Sequence, residues 1–268
     1  MSLGSAQLGT LSASRLILGG NPFSGFSHQG PQRDLEMRRY YTVARIKATL
    51  RAAEEAGITT FIGRVDAHIM RLLGEYWDEG GAIQWIAQTA PELRTTEMAV
   101  DRAVGAGARA CFVHGGVTDH ALANARLDEL PPAIDYIRKA GLPAGIAGHD
   151  PGVFRWAEEH LDCDFYMCSY YNSAHRDQHA EHRSGMPEWF RPEDRQAMVE
   201  LIRTIRRPVI HYKVLAAGRN DPAEGLGFAA RHLRPGDAVC VGAYTGDRSG
   251  MLAEDVQLLQ EALTRASA

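Results

Sequence analysis

Short apolar runs recur along the chain and alternate with longer segments in which apolar and polar residues follow a helical period. The runs contain little polar alternation, which is typical of parallel strands that are buried on both faces. The pattern predicts eight strands, each followed by a helical segment. The strands are Arg15–Gly20, Ile58–Gly63, Ile83–Gln88, Ala108–His114, Pro143–Gly148, Asp164–Ser169, Val209–Val214 and Ala238–Ala243.

Several helical segments end in an Ala-Gly pair just before the next strand, as expected of a helix C-terminus. The predicted helices are Thr42–Ala56, Ala67–Trp77, Pro91–Val104, two pieces within Asp119–Ala140, Gly152–Leu161, Pro192–Ile205, Pro222–His232 and Ala253–Ala266.

Strands and helices that alternate eight times within 268 residues predict an α/β fold, a single (β/α)8 TIM barrel over residues 1–268. A short hairpin over residues 6–13 is expected to precede the barrel. Long polar loops are expected after the first and sixth strands, at Asn21–Tyr41 and Tyr170–Phe190. A doubly wound open sheet is the alternative, but no GxGxxG follows the first strand.

Composition limits the partners. The net charge of −4 gives no reason to expect nucleic acid or an acidic membrane surface as a partner. No apolar run approaches the ~18 residues of a membrane span, and no signal peptide is visible. The four cysteines include no CxxC pair, so reduced thiols and a cytoplasmic protein acting on a small molecule are expected. The oligomeric state stays open.

The seventh strand carries two unusual side chains. Val209, His211 and Lys213 alternate with apolar neighbours, so a regular strand would place His211 and Lys213 on one face. A buried lysine is costly unless it is paired or used in chemistry. Lys213 is therefore predicted to act as a base, as a Schiff-base former, or as a cation for a carboxylate or phosphate.

Polar residues stand at the carboxyl ends of most predicted strands, where barrel enzymes build their active sites. The predicted catalytic residues are Lys213, His149, His211, Tyr170 and Asp66, and the predicted substrate-binding residues are Asn21, Arg64, His68, Gln88, Arg219, Gly218 and Tyr244. Two alternatives stay open: Tyr170 as a wall of the pocket, and Asp66 as the N-cap of the following helix.

His114, His149 and His211 stand at the ends of three strands and are candidate ligands of a divalent metal such as zinc. Structural hydrogen bonding by each histidine is the alternative. A second set, His175, His179 and His182, has helical spacing within the second long loop, where a metal clip or a solvated face is expected.

Small residues follow the seventh and eighth strands, at Ala216–Gly218 and Gly242–Gly246. Barrels commonly bind phosphate groups there, because backbone N–H groups can approach the ligand closely. Arg219 would add charge. Tight packing without a ligand is the alternative.

The sequence resembles the aldo-keto reductases. LGTLSASRLILGGNPF at residues 8–23 resembles their leading hairpin and first strand, and weaker likeness continues at 56–69, 111–116 and 241–259. GGNP after the first strand and KVLAAG on the seventh resemble a divergent bacterial branch. The resemblance implies a (β/α)8 barrel and NADP as a candidate cofactor.

The catalytic tetrad of that family is mostly missing. The resemblance places its Asp at Gly63, its Tyr at His68 and its Lys near Gln88, and only its His is matched, by His114. Three hypotheses follow. The first is a lyase- or isomerase-like enzyme for a polar carbonyl or hydroxyl compound, including sugar-derived or phosphorylated ones. The others are a divergent NAD(P)H-dependent oxidoreductase that uses His68 and His114, and an inactive barrel that binds a metabolite.

Overall fold

The computed structural model describes residues 3–174 and 188–266. Parallel strands form its centre, and a two-stranded antiparallel hairpin precedes them. The strands are β1 (Ser5–Leu8), β2 (Leu11–Ser14), β3 (Leu16–Gly19), β4 (Thr60–Arg64), β5 (Gln84–Gln88), β6 (Ala110–Val113), β7 (Ala144–Gly148), β8 (Phe165–Ser169), β9 (Val209–Tyr212) and β10 (Ala238–Gly242).

Helices surround the strands. They are α1 (Asn21–Ser24), α2 (Pro31–Tyr40), α3 (Val43–Glu55), α4 (Ala67–Asp78), α5 (Thr96–Gly105), α6 (Gly115–Ala123), α7 (Leu130–Lys139), α8 (Pro151–His160), α9 (Pro192–Ile202), α10 (Pro222–Ala230) and α11 (Met251–Ala266). Two short 3-10 helices lie at Leu127–Glu129 and Ala216–Gly218.

Strands β3 to β10 close into a barrel in the order β10-β3-β4-β5-β6-β7-β8-β9. These are the eight strands predicted from the sequence, so the predicted α/β barrel is confirmed. Each strand alternates between an inward side chain and one that faces the helices, which gives two apolar cores. The inner core includes Ile17, Ile62, Ile86, Phe112, Phe165, Met167, Ile210 and Cys240.

The hairpin β1–β2 packs against the inner core at the amino ends of the strands. Ala6, Leu8, Leu11 and Ala13 are buried and belong to the same apolar cluster as the barrel interior. Leu8 pairs with Leu11 and Ala6 with Ala13 across the hairpin, and alternate residues of a strand share a face, so the four side chains point to the same side. The hairpin therefore fills the amino end of the barrel.

The recurring Ala-Gly pairs end helices as predicted. Gly57, Gly107 and Gly141 have φ angles of 86°, 87° and 80°. This left-handed conformation is easily adopted only by residues without a Cβ, and it turns the chain from helix to strand.

The long loop predicted over Asn21–Tyr41 is only partly a loop, because it contains α1 and α2. Pro22 and Pro31 stand in the first turns of these helices, where the missing N–H costs nothing. The sequence of α2 is polar on nearly every side and buries only Met37. An apolar stripe that would predict a helix is therefore missing.

The loop after the sixth barrel strand lies largely outside the described residues, and so do His175, His179 and His182. The four cysteines are buried and unpaired. No helix in the described part of the chain combines the length and apolarity that crossing a bilayer requires.

Candidate active site at the barrel mouth

Strand β9 does not place His211 and Lys213 on one face. Ile210 belongs to the inner core and Tyr212 packs against it, so His211 faces the helices. The prediction that His211 acts at the mouth is therefore wrong. The inward side chain at the end of this strand is Tyr212.

His211 belongs to a buried group that we call the outer cluster, made of Tyr170, His211, Arg234 and Asp237. The His211 Nε2–H faces the Asp237 carboxylate at 3.4 Å, and the Tyr170 hydroxyl donates to His211 Nδ1 at 3.0 Å. Asp237 also accepts three bonds from Arg234 and one from the Val209 N–H. Tyr170 packs edge-on against Phe228 in the helix layer, so it is not a catalytic group at the mouth either.

Lys213 reaches the mouth because the chain leaves the strand at this residue. Its φ angle is 55°, which is left-handed and unusual for a residue with a side chain. Its ammonium lies 3.4 Å from the Ser173 hydroxyl and 3.9 Å from the Glu188 carboxylate. Burial lowers the pKa of Lys213, while the charges of Glu188 and Asp119 oppose that shift. The Lys213 amine is therefore largely desolvated and lies close to a carboxylate.

Three side chains form a proton chain beside it: Asp119 from α6, His149 after β7, and Tyr212 at the end of β9. His149 Nδ1–H donates to Asp119 at 2.6 Å, and the His149 backbone N–H donates to the same carboxylate at 2.9 Å. His149 Nε2 is thus an acceptor, and the Tyr212 hydroxyl lies 3.1 Å from it. That hydroxyl also lies 3.3 Å from the Gly148 carbonyl oxygen, so it can donate its proton to either of two acceptors.

Gly115 makes room for this chain. A Cβ at Gly115 would lie 3.1 Å from the His149 ring and 3.3 Å from the Tyr212 oxygen. A larger residue would therefore press on the two groups that exchange the proton.

A second histidine–carboxylate pair comes from segments that lie over the mouth. His28 Nδ1–H donates to Glu188 at 2.7 Å, and the Asn21 side-chain amide donates to His28 Nε2 at 3.2 Å. His28 also has a left-handed φ of 57°. Burial lowers the pKa of His28, the bond to Glu188 opposes that shift, and the charges of Lys213 and His149 add to it. Glu188 lies 2.7 Å from His28 Nδ1 and 3.9 Å from the Lys213 ammonium, so the two residues share this carboxylate. We call His28, Asp119, His149, Glu188, Tyr212 and Lys213 the mouth cluster.

His114 lies at the start of α6, where its Nδ1 accepts the Gly116 N–H at 2.9 Å. A neutral ring therefore carries its proton on Nε2. Burial lowers the pKa of His114 to about 4, and His149 and Arg64 reinforce the shift. This histidine stays neutral near pH 7 and can donate a hydrogen bond without carrying charge.

The other predicted residues divide between the mouth and the helix layer. Arg64 and Gln88 lie two residues after Ile62 and Ile86, which face the inner core, so they point toward the mouth on the same side of their strands. Arg64 forms an ion pair with Glu92. Asp66 is the N-cap of α4, accepting the Ile69 N–H at 2.8 Å, so the capping alternative holds. His68 is exposed at the start of the same helix.

The proposed metal ligands are not brought together. His211 faces the helices, whereas His114 and His149 are at the mouth. Within residues 3–174 and 188–266, no group of three histidine, cysteine or carboxylate side chains is placed to hold a metal ion.

The turns after β9 and β10 are filled by the protein itself. Arg219 donates to the carbonyl oxygens of His28 and Ala216, and Gln29 donates to the Ala217 carbonyl over Gly218. At the β10 turn the Tyr41 hydroxyl accepts the Thr245 N–H at 3.0 Å. Arg33 packs over the Tyr244 ring and pairs with Asp247. The groups expected to hold a phosphate are therefore engaged.

Sequence reasoning missed four members of the mouth cluster. Tyr212 could have been found from Ile210, which faces the inner core, because side chains two residues apart on a strand point to the same side. Asp119, His28 and Glu188 carry no local signal, because their partners are distant in the sequence.

Solved structures give the comparison. A Pseudomonas aeruginosa protein whose name assigns it to the aldo-keto reductases superposes with a TM-score of 0.68, at 17% identity over 98% of both chains. The chain has an aldo-keto-reductase-like barrel fold. An aldo-keto reductase from Bacillus halodurans, in its holo form, gives a TM-score of 0.59 at 13% identity over 98% of this chain and 96% of that one.

Barrels with other chemistry also superpose. A truncated 3-deoxy-D-arabino-heptulosonate 7-phosphate synthase from Thermotoga maritima gives a TM-score of 0.54 at 12% identity, over 99% of this chain and 91% of that one. No protein-family model matches the sequence, and no curated protein matches it either. At these identities the likeness is one of fold, so the function has to be argued from the mouth.

The reductase fold implies a nicotinamide dinucleotide, and the residues present do not fit one well. The turns after β9 and β10, where the phosphates were expected to bind, are occupied by the protein's own side chains: Arg219, Gln29, Tyr41 and the Arg33–Asp247 pair. Gly63, which stands where the resemblance places the reductase Asp, faces the helices, and a Cβ there would lie 2.4 Å from the Phe61 ring. We therefore derive no chemical step through a nicotinamide.

Proposed function

We propose that the protein is an enzyme that moves a proton at the carbon beside the carbonyl group of a small, polar hydroxy-carbonyl compound. This is the chemistry of many isomerases and lyases. The barrel fold shared with several enzymes supports an enzymatic role. The mouth cluster supports this reaction class, because it combines a desolvated cation with an acid–base chain.

Lys213 is the cation in this mechanism. Removing the proton beside a carbonyl places negative charge on the carbonyl oxygen, and a buried ammonium stabilises that charge more strongly than water does. The contact with Glu188 and the bond to Ser173 hold the ammonium in place before the substrate arrives. His114 adds a neutral N–H donor that can polarise the same carbonyl.

The proton itself passes through the chain of Asp119, His149 and Tyr212. Burial raises the pKa of Tyr212 well above its usual range, so a free phenolate is disfavoured. Tyr212 therefore exchanges protons in concert with His149, taking one from the substrate as it gives its own to Nε2. Asp119 fixes the ring and stabilises the imidazolium that results.

The backbone at Lys213 carries this proposal. A left-handed φ in a lysine costs on the order of 1–2 kcal/mol, and such strain clusters at functional sites. Here the strain has a visible effect. It turns the ammonium away from the helix layer, where strand alternation would send it, and into the mouth.

The test is exchange of carbon-bound hydrogen in D2O, followed by proton NMR. The probes are D- and L-glyceraldehyde, dihydroxyacetone, D-fructose and D-psicose. We expect the wild-type protein to exchange the hydrogen beside the carbonyl of at least one probe. Lys213→Asn tolerates the left-handed backbone and should lower the exchange rate by at least about 100-fold. Tyr212→Phe should lower it by about 100-fold or more.

Matched controls are Lys139→Asn and Tyr136→Phe on the outside of α7. Both should exchange at the wild-type rate. Wild-type protein that exchanges no probe, or Lys213→Asn that exchanges as fast as Lys139→Asn, would contradict the proposal.

Carbonyl reduction is the second candidate, because a tyrosine–histidine pair can also donate a proton to a carbonyl oxygen. Fluorescence titration with NADPH and NADH separates the two. Tight saturable binding would favour a reductase, whereas the filled turns after β9 and β10 lead us to expect no binding at millimolar nucleotide.

A further inference from the structure

We infer that the mouth holds two opposed acid–base units and inverts a stereocentre, so that the reaction is an epimerisation of an α-hydroxy carbonyl compound. One unit is His28 with Glu188, and the other is the chain of Asp119, His149 and Tyr212. This inference rests on the proposed function and specifies its stereochemistry.

The two units are built alike. In each, a carboxylate accepts the Nδ1–H of a histidine, at 2.7 Å for His28 and 2.6 Å for His149. The acceptor Nε2 of each ring is directed at a hydrogen-bond donor: the Asn21 amide for His28 and the Tyr212 hydroxyl for His149. A single base needs only one such pair. Two pairs around one lysine suit a reaction that removes a proton on one side and returns it on the other.

The two units also come from opposite sides of the barrel. The His28 segment leaves from β3 and His149 follows β7, and these strands are four steps apart in either direction around the barrel. The Glu188 carboxylate accepts the His28 Nδ1–H at 2.7 Å and lies 3.9 Å from the Lys213 ammonium, so the segment from β3 brings the His28 ring to the lysine at the mouth. A substrate held at Lys213 would then meet a base on each face.

His28 is held in place at a cost. Its φ of 57° is left-handed, and its carbonyl oxygen accepts a bond from Arg219 Nη2 at 2.8 Å. The Glu188 contact fixes the ring from the other side. Strain that is fixed by bonds at both the backbone and the side chain is typical of positions under functional constraint.

The steps balance without a cofactor. His28 begins neutral and His149 begins as the imidazolium. The substrate displaces the Asn21 amide from His28 Nε2, which then takes the proton beside the carbonyl. The C–H electron pair becomes the C=C bond of an enediolate, and the carbonyl oxygen takes the negative charge beside Lys213. Tyr212 then gives its proton to the opposite face of the same carbon as His149 replaces it, and the carbonyl re-forms. His28 ends protonated and His149 neutral, ready for the reverse reaction.

The experiment follows hydrogen and configuration together. Two probe pairs are used in D2O: D- with L-glyceraldehyde, and D-fructose with D-psicose. At low conversion, the wild-type product should carry deuterium at the inverted carbon while the remaining substrate keeps its hydrogen. His28→Asn suits the left-handed backbone and should lower inversion by at least about 100-fold. It should still exchange the epimer whose hydrogen faces Tyr212.

His149→Asn should show the reverse pattern, losing inversion but exchanging the other epimer. His160→Asn, at an exposed position on α8, is the control and should behave as wild type. Circular dichroism and thermal unfolding check that each variant is folded.

The outcomes separate the two proposals. If the wild-type product keeps its original hydrogen, or if each variant loses exchange of both epimers alike, the two-base inference is overturned while the proposed function stands. If the wild-type protein exchanges none of the probes, both are overturned. Epimer-selective exchange in the two variants would establish the inference.

Discussion

The outer cluster and the mouth cluster, both in the described part of the chain, each pair histidine with carboxylate, and they differ in how completely their hydrogen bonds are satisfied. In the outer cluster His211 and Asp237 are 0% and 1% exposed, and Asp237 accepts bonds from three different residues. In the mouth cluster His149 and Asp119 are 16% and 13% exposed, and the chain ends on a hydroxyl at the barrel opening.

The backbone shows the same contrast. His211 lies in a regular strand, whereas Lys213, two residues later, and His28 both have left-handed φ angles. The outer cluster uses polar groups to join strand, helix and turn at no cost in strain. The mouth cluster accepts strain to hold groups toward a space where a substrate can lie. Polar burial alone therefore does not mark a candidate catalytic site, and backbone strain and an open end are what distinguish the mouth cluster from the outer cluster.

The largest expected effect on stability is at Asp237. Asp237→Ala leaves the buried His211 and the partly buried Arg234 without their carboxylate and should lower the free energy of unfolding by about 3 kcal/mol. Asp119→Ala, in the mouth, should cost only about 1–2 kcal/mol because water can reach the site. Urea unfolding of both variants measures the difference, and equal losses would break the distinction between the clusters.

Acid should act on the outer cluster next. Burial opposes ionisation of Asp237, but the bonds from His211 and Arg234 outweigh it and lower its pKa to about 2. A carboxyl with a lowered folded-state pKa contributes stability above its unfolded pKa near 4, and this contribution is lost as the pH falls toward 2. We expect about 2 kcal/mol from this group. Urea unfolding from pH 5 to pH 2 should show a loss of stability that is larger in wild type than in Asp237→Asn by about this amount, because other carboxyl groups with lowered pKa values, such as Glu92, titrate in both proteins.

Strain at Lys213 predicts a smaller difference in stability between glycine and alanine variants. This difference should have one sign at Lys213, just after β9, and the opposite sign at His211, within β9. Lys213→Gly should be about 1 kcal/mol more stable than Lys213→Ala, because glycine adopts a left-handed φ freely. At His211 the order should reverse by about 0.5–1 kcal/mol, since glycine weakens a regular strand. Thermal unfolding of the four variants measures this. The same order at both positions would show that Lys213 is unstrained.

The finest distinction is the position of one proton. His28 and His149 donate from Nδ1 to a carboxylate, whereas His114 and His211 accept at Nδ1 and carry the proton on Nε2. Nitrogen-15 NMR of histidine-labelled protein, at a pH high enough to leave these four rings neutral, should therefore show His28 and His149 as Nδ1–H and His114 and His211 as Nε2–H. Assignment rests on four single His→Asn variants. An Nε2–H form at His28 would remove its role as an acceptor.

Much of the fold could be predicted from the sequence, because apolar runs and helix-ending glycines are local signals. The predicted strand Ile83–Gln88, for example, differs from the observed Gln84–Gln88 by one residue. Helix α2 was missed because its side chains are almost all polar and it is held by tertiary contacts such as Arg33 with Asp247.

The candidate site was harder to predict. Alternation along the seventh barrel strand was continued through Lys213, but the chain turns left-handed there, and no glycine or asparagine announces it. The direction in which each side chain of this strand points could have been predicted from Ile210. Ile210 faces the inner core, so Tyr212 faces inward as well and His211 faces the helices. The same alternation selects Arg64, Gln88, His114 and His149. Partners such as Asp119 and Glu188 depend on packing between distant segments.

The hairpin that fills the amino end of the barrel has a kinetic consequence. With Leu8 and Leu11 packed into the inner core, a small molecule that reaches Tyr212 must leave by the way it came. Substrate and product then share one passage, at the carboxyl ends of the strands. Because both also bind at the mouth cluster, product should inhibit competitively.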